Sequence, residues 1–222
     1  MATLVTPAAG IWSSPTDFHT RSHFVDDFYG GGGTDGAIGA LGWGAGGTIS
    51  TVTGVANNPG LVGLATGASS GTYARLNLYG GGIQLLSAND FDLSWVFKVG
   101  TTDVDTTIRA GVSSGWASNP GTNGIYFEKA AADTNWFTTT RATTETRTDT
   151  GIAVSTASYI TVRMVRTSGL VLFYFNGALV ATHTTTIPTA AVGPGIHILN
   201  SAAANKTMTV DYFEMTIGGL TR

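Results

Sequence analysis

The chain has 222 residues, a formal net charge of -3 and a pI near 5.7, and only 11% of its residues are charged while 42% are hydrophobic. No Lys/Arg run is present to neutralise phosphates, since Lys98, Lys129 and Lys206 lie far apart, and this argues against a nucleic-acid partner. Cysteine is absent, which excludes disulfides and thiolate metal sites, and no stretch approaches ~18 uninterrupted apolar residues, which argues against a membrane-spanning helix.

Residues 1–23 carry Pro7, Pro15 and several Ser and Thr around isolated apolar anchors, Leu4, Val5, Ile11, Trp12 and Phe18. This pattern predicts an extended N-terminal arm, with those five residues as candidates for docking on a partner. The opening lacks a basic start and an apolar run of signal-peptide length, so secretion by that route is not expected. From residue 24 to 222 the chain reads as one all-β body, because β-branched and aromatic runs alternate with Gly, Asn, Asp and Pro turns and no helical period appears.

The stretch FVDDFYGGGGTDGAIGALGW, residues 24–43, predicts a strand at 24–28 and a second at 38–43, joined by a wide glycine turn at Gly30 to Gly33. A phosphate loop would need a Lys-Ser or Lys-Thr pair opening a helix, and Asp26, Asp27 and Asp35 would repel a phosphate. Further strands are expected at 61–66, 72–78, 106–112, 124–128, 136–140, 144–150 and 195–199. In 91–99, strict alternation sends Phe91, Leu93, Trp95, Phe97 and Val99 to one face. Strands at 159–166, 170–175 and 178–182 form a meander, with Asn176-Gly177 as a hairpin turn, and a last strand covers 208–217. A dozen or more short strands imply two packed antiparallel sheets, and no constant-period repeat points to a propeller or β-helix.

The order YITVRMVR, turn, FYFNGALVATHTT and closing TVDYFEM resembles the concanavalin A-like lectin/glucanase superfamily of jelly-roll sandwiches, over about the last third of the chain. A second set of segments, DDFYGGGGTDGAIGALGW, NNPGL, NPGTNGIYFE, NW and FNGALVATHTTTIP, is similar to virion structural proteins of tailed bacteriophages. That second resemblance implies a capsid decoration or cement protein located on the virion, with the major capsid protein or other virion proteins as partners. A virion-displayed receptor-binding module that engages host polysaccharide is the alternative. The low-charge surface adds an expectation of homo-oligomers.

Retaining enzymes of the sandwich type place two carboxyl groups on alternate residues of one strand, as Glu-x-Asp-x-Glu. Glu128, Glu145 and Glu214 belong to no such run, the histidines His19, His23, His183 and His197 are scattered, and no Gly-x-Ser-x-Gly elbow is present. These features carry the expectation that the chain is not an enzyme and needs no cofactor. His183, near a strand end, reads as a surface histidine. The Asp90/Asp92 and Asp103/Asp105 pairs read as solvated strand-end acids in preference to calcium ligands, because calcium wants six to eight oxygens. Trp116, Asn135 and Trp136 are the candidates for contact with a glycan, set against the competing reading in which both indoles anchor loops on the sandwich.

Overall fold

The computed structural model describes residues 21–28, 38–52, 60–78, 83–85, 89–101, 104–117, 121–167 and 169–220. Among them the chain is all-β, with strands β1 (Ser22–Asp26), β2 (Gly44–Gly46), β3 (Thr48–Val52), β4 (Leu61–Ala65), β5 (Tyr73–Asn77), β6 (Phe91–Val99), β7 (Thr106–Ser113) and β8 (Asn123–Lys129). The remainder are β9 (Asn135–Ala142), β10 (Thr144–Ala153), β11 (Ile160–Thr167), β12 (Leu170–Phe175), β13 (Ala178–His183), β14 (Gly193–Asn200) and β15 (Thr207–Ile217).

They form two antiparallel sheets packed as a sandwich. The eight-stranded sheet runs β13-β12-β11-β6-β15-β4-β3, with β1 also on β15, and the seven-stranded sheet runs β10-β9-β8-β7-β14-β5-β2. Strand β15 is long enough to take β6 along one edge and, along the other, β4 through Thr207 to Val210 and β1 through Phe213 to Ile217.

Alternation builds the core. Phe91, Leu93, Trp95, Phe97 and Val99 all turn inward from β6, as do Ile108, Ala110 and Val112 from β7 and Ile125 and Phe127 from β8. Rings from the two sheets meet edge to face, Phe97 with Trp136 at 5.8 Å between centroids and Phe127 with Phe173 at 5.5 Å.

The start of the sandwich differs from the expected hairpin. Strand β1 begins at Ser22, two residues inside the segment assigned to the arm, and ends at Asp26. Residues 38–43 form a turn and not a strand, closed by an Ile38–Trp43 bridge. Its organiser is buried Asp26, whose carboxylate accepts from Phe28 N–H at 2.9 Å, Leu41 N–H at 3.0 Å and Trp43 Nε1–H at 2.9 Å. The side chain has replaced the strand ladder as hydrogen-bond partner, so this segment has no need of extended pairing. Strands β2 and β3 are additions to the expected set, since GAG and TISTV carry little apolar alternation. The glycine run at Gly30 to Gly33, and the arm residues Leu4, Val5, Ile11, Trp12 and Phe18, lie outside the described residues.

Candidate functional site

Residues that are direct register partners point to the same side of a sheet, so the outer face of the seven-stranded sheet can be read across its strands. One row runs Arg75 (β5), His197 (β14), Arg109 (β7), Glu128 (β8) and Phe137 (β9). The row beside it runs Asn77, Gly195, Gly111, Tyr126, Thr139 and Arg147 on β5, β14, β7, β8, β9 and β10. A solvated sheet face would show these positions exposed. Here His197, Glu128, Tyr126 and Thr139 are all buried.

Local packing explains part of this. Trp116, in the segment after β7, lies over Gly195 so closely that a Cβ there would fall 2.6 Å from the indole, and its Nε1–H donates to the Gly193 carbonyl at 3.1 Å. Gly195 is therefore the seat of the ring. Tyr73 lies beside His197, with ring centroids 6.0 Å apart, and the Arg75 guanidinium sits 5.6 Å from the Tyr73 centroid.

Charge on this face is arranged around Glu128. Its carboxylate accepts from Arg109 Nε at 2.7 Å and Arg147 Nε at 3.0 Å, and Arg147 also pairs with Asp133 and stacks 3.6 Å from the Phe137 centroid. Burial works against the charge of Arg147, but the hydrogen bond to Asp133 and the charge of Glu128 outweigh it and raise its pKa. Burial, then the charge of Glu128, pushes the Tyr126 hydroxyl above its ordinary value, opposed by Arg109 and by contact with Arg141. His197 is held down to about 3, first by burial and then by the charges of Arg109 and Arg75, so at neutral pH it is an uncharged imidazole.

Several polar atoms of the two rows have no hydrogen-bond partner among the described residues: Arg75 Nε, Arg109 Nη1, Thr139 Oγ1 and both ring nitrogens of His197. Each such group, buried and unpaired, costs about 1–3 kcal/mol. Native proteins keep few of them, and on this face several fall in two adjacent rows. Arg109 is 12% exposed at its side chain and Arg147 24%, so the face is shielded without being sealed.

The residues expected from sequence sit elsewhere or play other parts. Trp136 is in the core at 1% exposure, between Phe97 and Phe175, and Trp116 is 4% exposed on Gly195. Neither indole offers an open face for a sugar, which corrects their candidacy as stacking platforms in this structure. Asn135 donates to the Asp149 carboxylate at 3.1 Å. His183 is buried, against the expectation of a surface residue, and bonds three threonine hydroxyls. Asp92 forms a two-point pair with Arg163, Nε at 2.7 Å and Nη2 at 2.6 Å. Among the described residues no group of three or more His, Asp or Glu is placed to hold a metal ion. A cavity of about 390 Å³ at one end of the sandwich is lined by Arg21, Asp90, Phe91, Asp92 and Arg166 among others, and burial lowers the pKa of Arg166 against the opposing charge of Asp90.

No protein-family profile matches the chain, and no curated protein matches it in sequence. Solved structures do resemble it. A protein of unknown function from Shewanella oneidensis MR-1 superposes with a TM-score of 0.68 at 15% identity, over 98% of each chain. The carbohydrate recognition domain of Emp47p superposes with a TM-score of 0.61 at 12% identity, over 95% of this chain and all 100% of that one. The β-glucanase of Bacillus licheniformis does so at 0.58 and 15% identity, over 90% of this chain and 98% of the enzyme. The fold is the concanavalin A-like jelly roll.

These neighbours overturn the expectation that the chain is not an enzyme. The same architecture carries glucanases, a glycosidic hydrolase and a transglycosylase, so a missing Glu-x-Asp-x-Glu run does not decide against catalysis. None of these neighbours is described as a virion protein.

Proposed function

We propose that this chain engages carbohydrate through the outer face of its seven-stranded sheet. The observation that carries the reading is the set of buried, unpaired polar atoms at Arg75, Arg109, Thr139 and His197, a surface whose hydrogen-bonding capacity is unmet until hydroxyl or acid groups of a ligand meet it. A carbohydrate recognition domain and glucanases with the same sandwich support that choice of ligand. The test is nuclear magnetic resonance titration of the full chain with a panel of oligosaccharides. Shifts should gather at Arg75, Arg109, Tyr126, Thr139 and His197. Shifts gathered instead around Arg166 at the end cavity, or no binding by any saccharide, would refute the reading. The same incubations followed for new reducing ends report whether a bound saccharide is also cut.

A second proposal concerns location. The sparse charge of the chain and the apolar anchors Leu4, Val5, Ile11, Trp12 and Phe18 favour a protein that associates with others, and the phage-like segments point to a virion, with the major capsid protein as partner. Burying a large apolar side chain contributes about 1.5–3 kcal/mol from area, so several anchors docked together offset part of the cost of ordering the segment. Removing residues 2–20 should leave a folded sandwich that no longer sediments with particles. Equal attachment of the shortened and full chains would rule out docking through residues 1–23.

A further inference from the structure

We infer that the saccharide taken by this face carries acid groups, carboxylate or sulfate, seated over His197 between Arg75 and Arg109. The inference rests on the reading of the face as a saccharide site and adds the charge of the ligand.

Three observations lead there. First, Arg75 and Arg109 are the two direct register partners of His197, one on each neighbouring strand, so the two guanidinium groups flank one imidazole along a single row. Second, their charge is unevenly compensated. Arg109 commits Nε to Glu128 and keeps Nη1 unpartnered, while Arg75 has an unpartnered Nε, lies against Tyr73, and has no ion pair among the described residues. Glu128 is the nearest carboxylate of that row and is already shared between Arg109 and Arg147. Third, His197 adds no positive charge of its own, yet both of its ring nitrogens are free to bond, one as donor and one as acceptor.

A neutral sugar would satisfy some of these donors but would leave the Arg75 charge uncompensated at the edge of a buried face. An acid oxygen satisfies the donors and the charge together, and a planar carboxylate or a sulfate matches the fork of a guanidinium. The row opens to solvent at Tyr73 and Arg75, which are half-buried, while the His197 ring nitrogens lie covered beside them, so an acid group enters from the Arg75 end.

The experiment titrates the full chain calorimetrically with three oligosaccharides of matched length: a polyuronate, a sulfated galactan and a neutral β-glucan. The expected result is an acidic oligosaccharide bound at least about tenfold tighter than the neutral one, with an affinity that falls as salt rises from roughly 50 to 500 mM. Whichever acidic ligand binds more tightly names the acid group. Arg75→Gln should weaken the acidic ligand far more than the neutral glucan and so remove most of that preference. Equal or tighter binding of the neutral glucan overturns the acid-group inference and leaves the saccharide face standing. A salt-insensitive affinity, or an Arg75→Gln loss that is equal for both kinds of ligand, also overturns it. No binding of any of the three removes both. Should Arg75→Gln fail to fold, the charge preference and salt response of the unaltered chain decide the matter.

Discussion

A single carboxylate and a single imidazole show how much one buried polar group does in this sandwich. Asp26 accepts three hydrogen bonds and so fixes the turn at 38–43, and Gly39 within that turn has φ +63° with no room for a Cβ beside the Asp26 carboxylate. Gly39→Ala should therefore lower unfolding free energy by more than the ~1 kcal/mol of an ordinary left-handed alanine, measured by chemical denaturation. A loss below that figure would mean the carboxylate moves aside freely. At His197 the folded pKa of about 3 lies below the ordinary 6.5 of an unfolded chain. The unfolded state therefore takes up the proton first as pH falls. Stability from this group is complete above about 6.5 and declines from there toward 3, by roughly 1.4 kcal/mol for each pH unit. Replacing His197 with asparagine should flatten the acid limb of a plot of stability against pH. An unchanged slope in the variant would show that the imidazole does not titrate as assigned.

At the scale of elements, period-two alternation makes much of the fold legible in the amino-acid sequence. Strand β6 and the meander of β11 to β13 lie within a residue or so of their expected bounds, because β6, β11 and β12 alternate more with less buried positions and the Asn176-Gly177 turn fixes where β13 begins. Strands β2 and β3 are not legible, because glycine, serine and threonine carry no such contrast. The candidate site is hidden for a different reason. Its residues come one or two at a time from β5, β14, β7, β8, β9 and β10, and only the register sets Arg75, His197 and Arg109 side by side. His183 departs from expectation because its strand ends at the open edge of the sandwich, where a surface residue is the default. Instead its Nδ1 meets Thr140 Oγ1 at 2.9 Å, and its Nε2 meets Thr138 and Thr148 hydroxyls at 3.1 and 3.0 Å. Strand β13 of one sheet is thereby tied to β9 and β10 of the other. His183→Ala should remove the imidazole from the Thr138 and Thr148 hydroxyls, while Thr140 keeps Thr185 and Thr186, and should speed amide exchange in β13 and β10 ahead of the rest. Exchange that rises uniformly across the molecule would show a general loss of stability and no clamp.

For the molecule as a whole, the question is whether two sheets with different outer faces behave as one body. Their inner faces share rings, not merely proximity. Phe97 of β6 meets Trp136 of β9, Phe127 of β8 meets Phe173 of β12, and Trp136 also reaches Phe175, so contacts between the sheets recur across several strands. Neither sheet can lose its partner without exposing Trp136, Phe127 and Phe173, all fully buried, to water. Unfolding should then be a single cooperative transition, with tryptophan fluorescence and the far-ultraviolet β signal falling together in denaturant. Trp136→Ala, which opens a cavity where the sheets meet, should move that common midpoint by the equivalent of about 3–5 kcal/mol without separating the two probes. Two resolved transitions in the unaltered chain would mean that the sheets are stabilised independently. In that case the outer-face cluster on the seven-stranded sheet would depend on its own strands and not on the shared core.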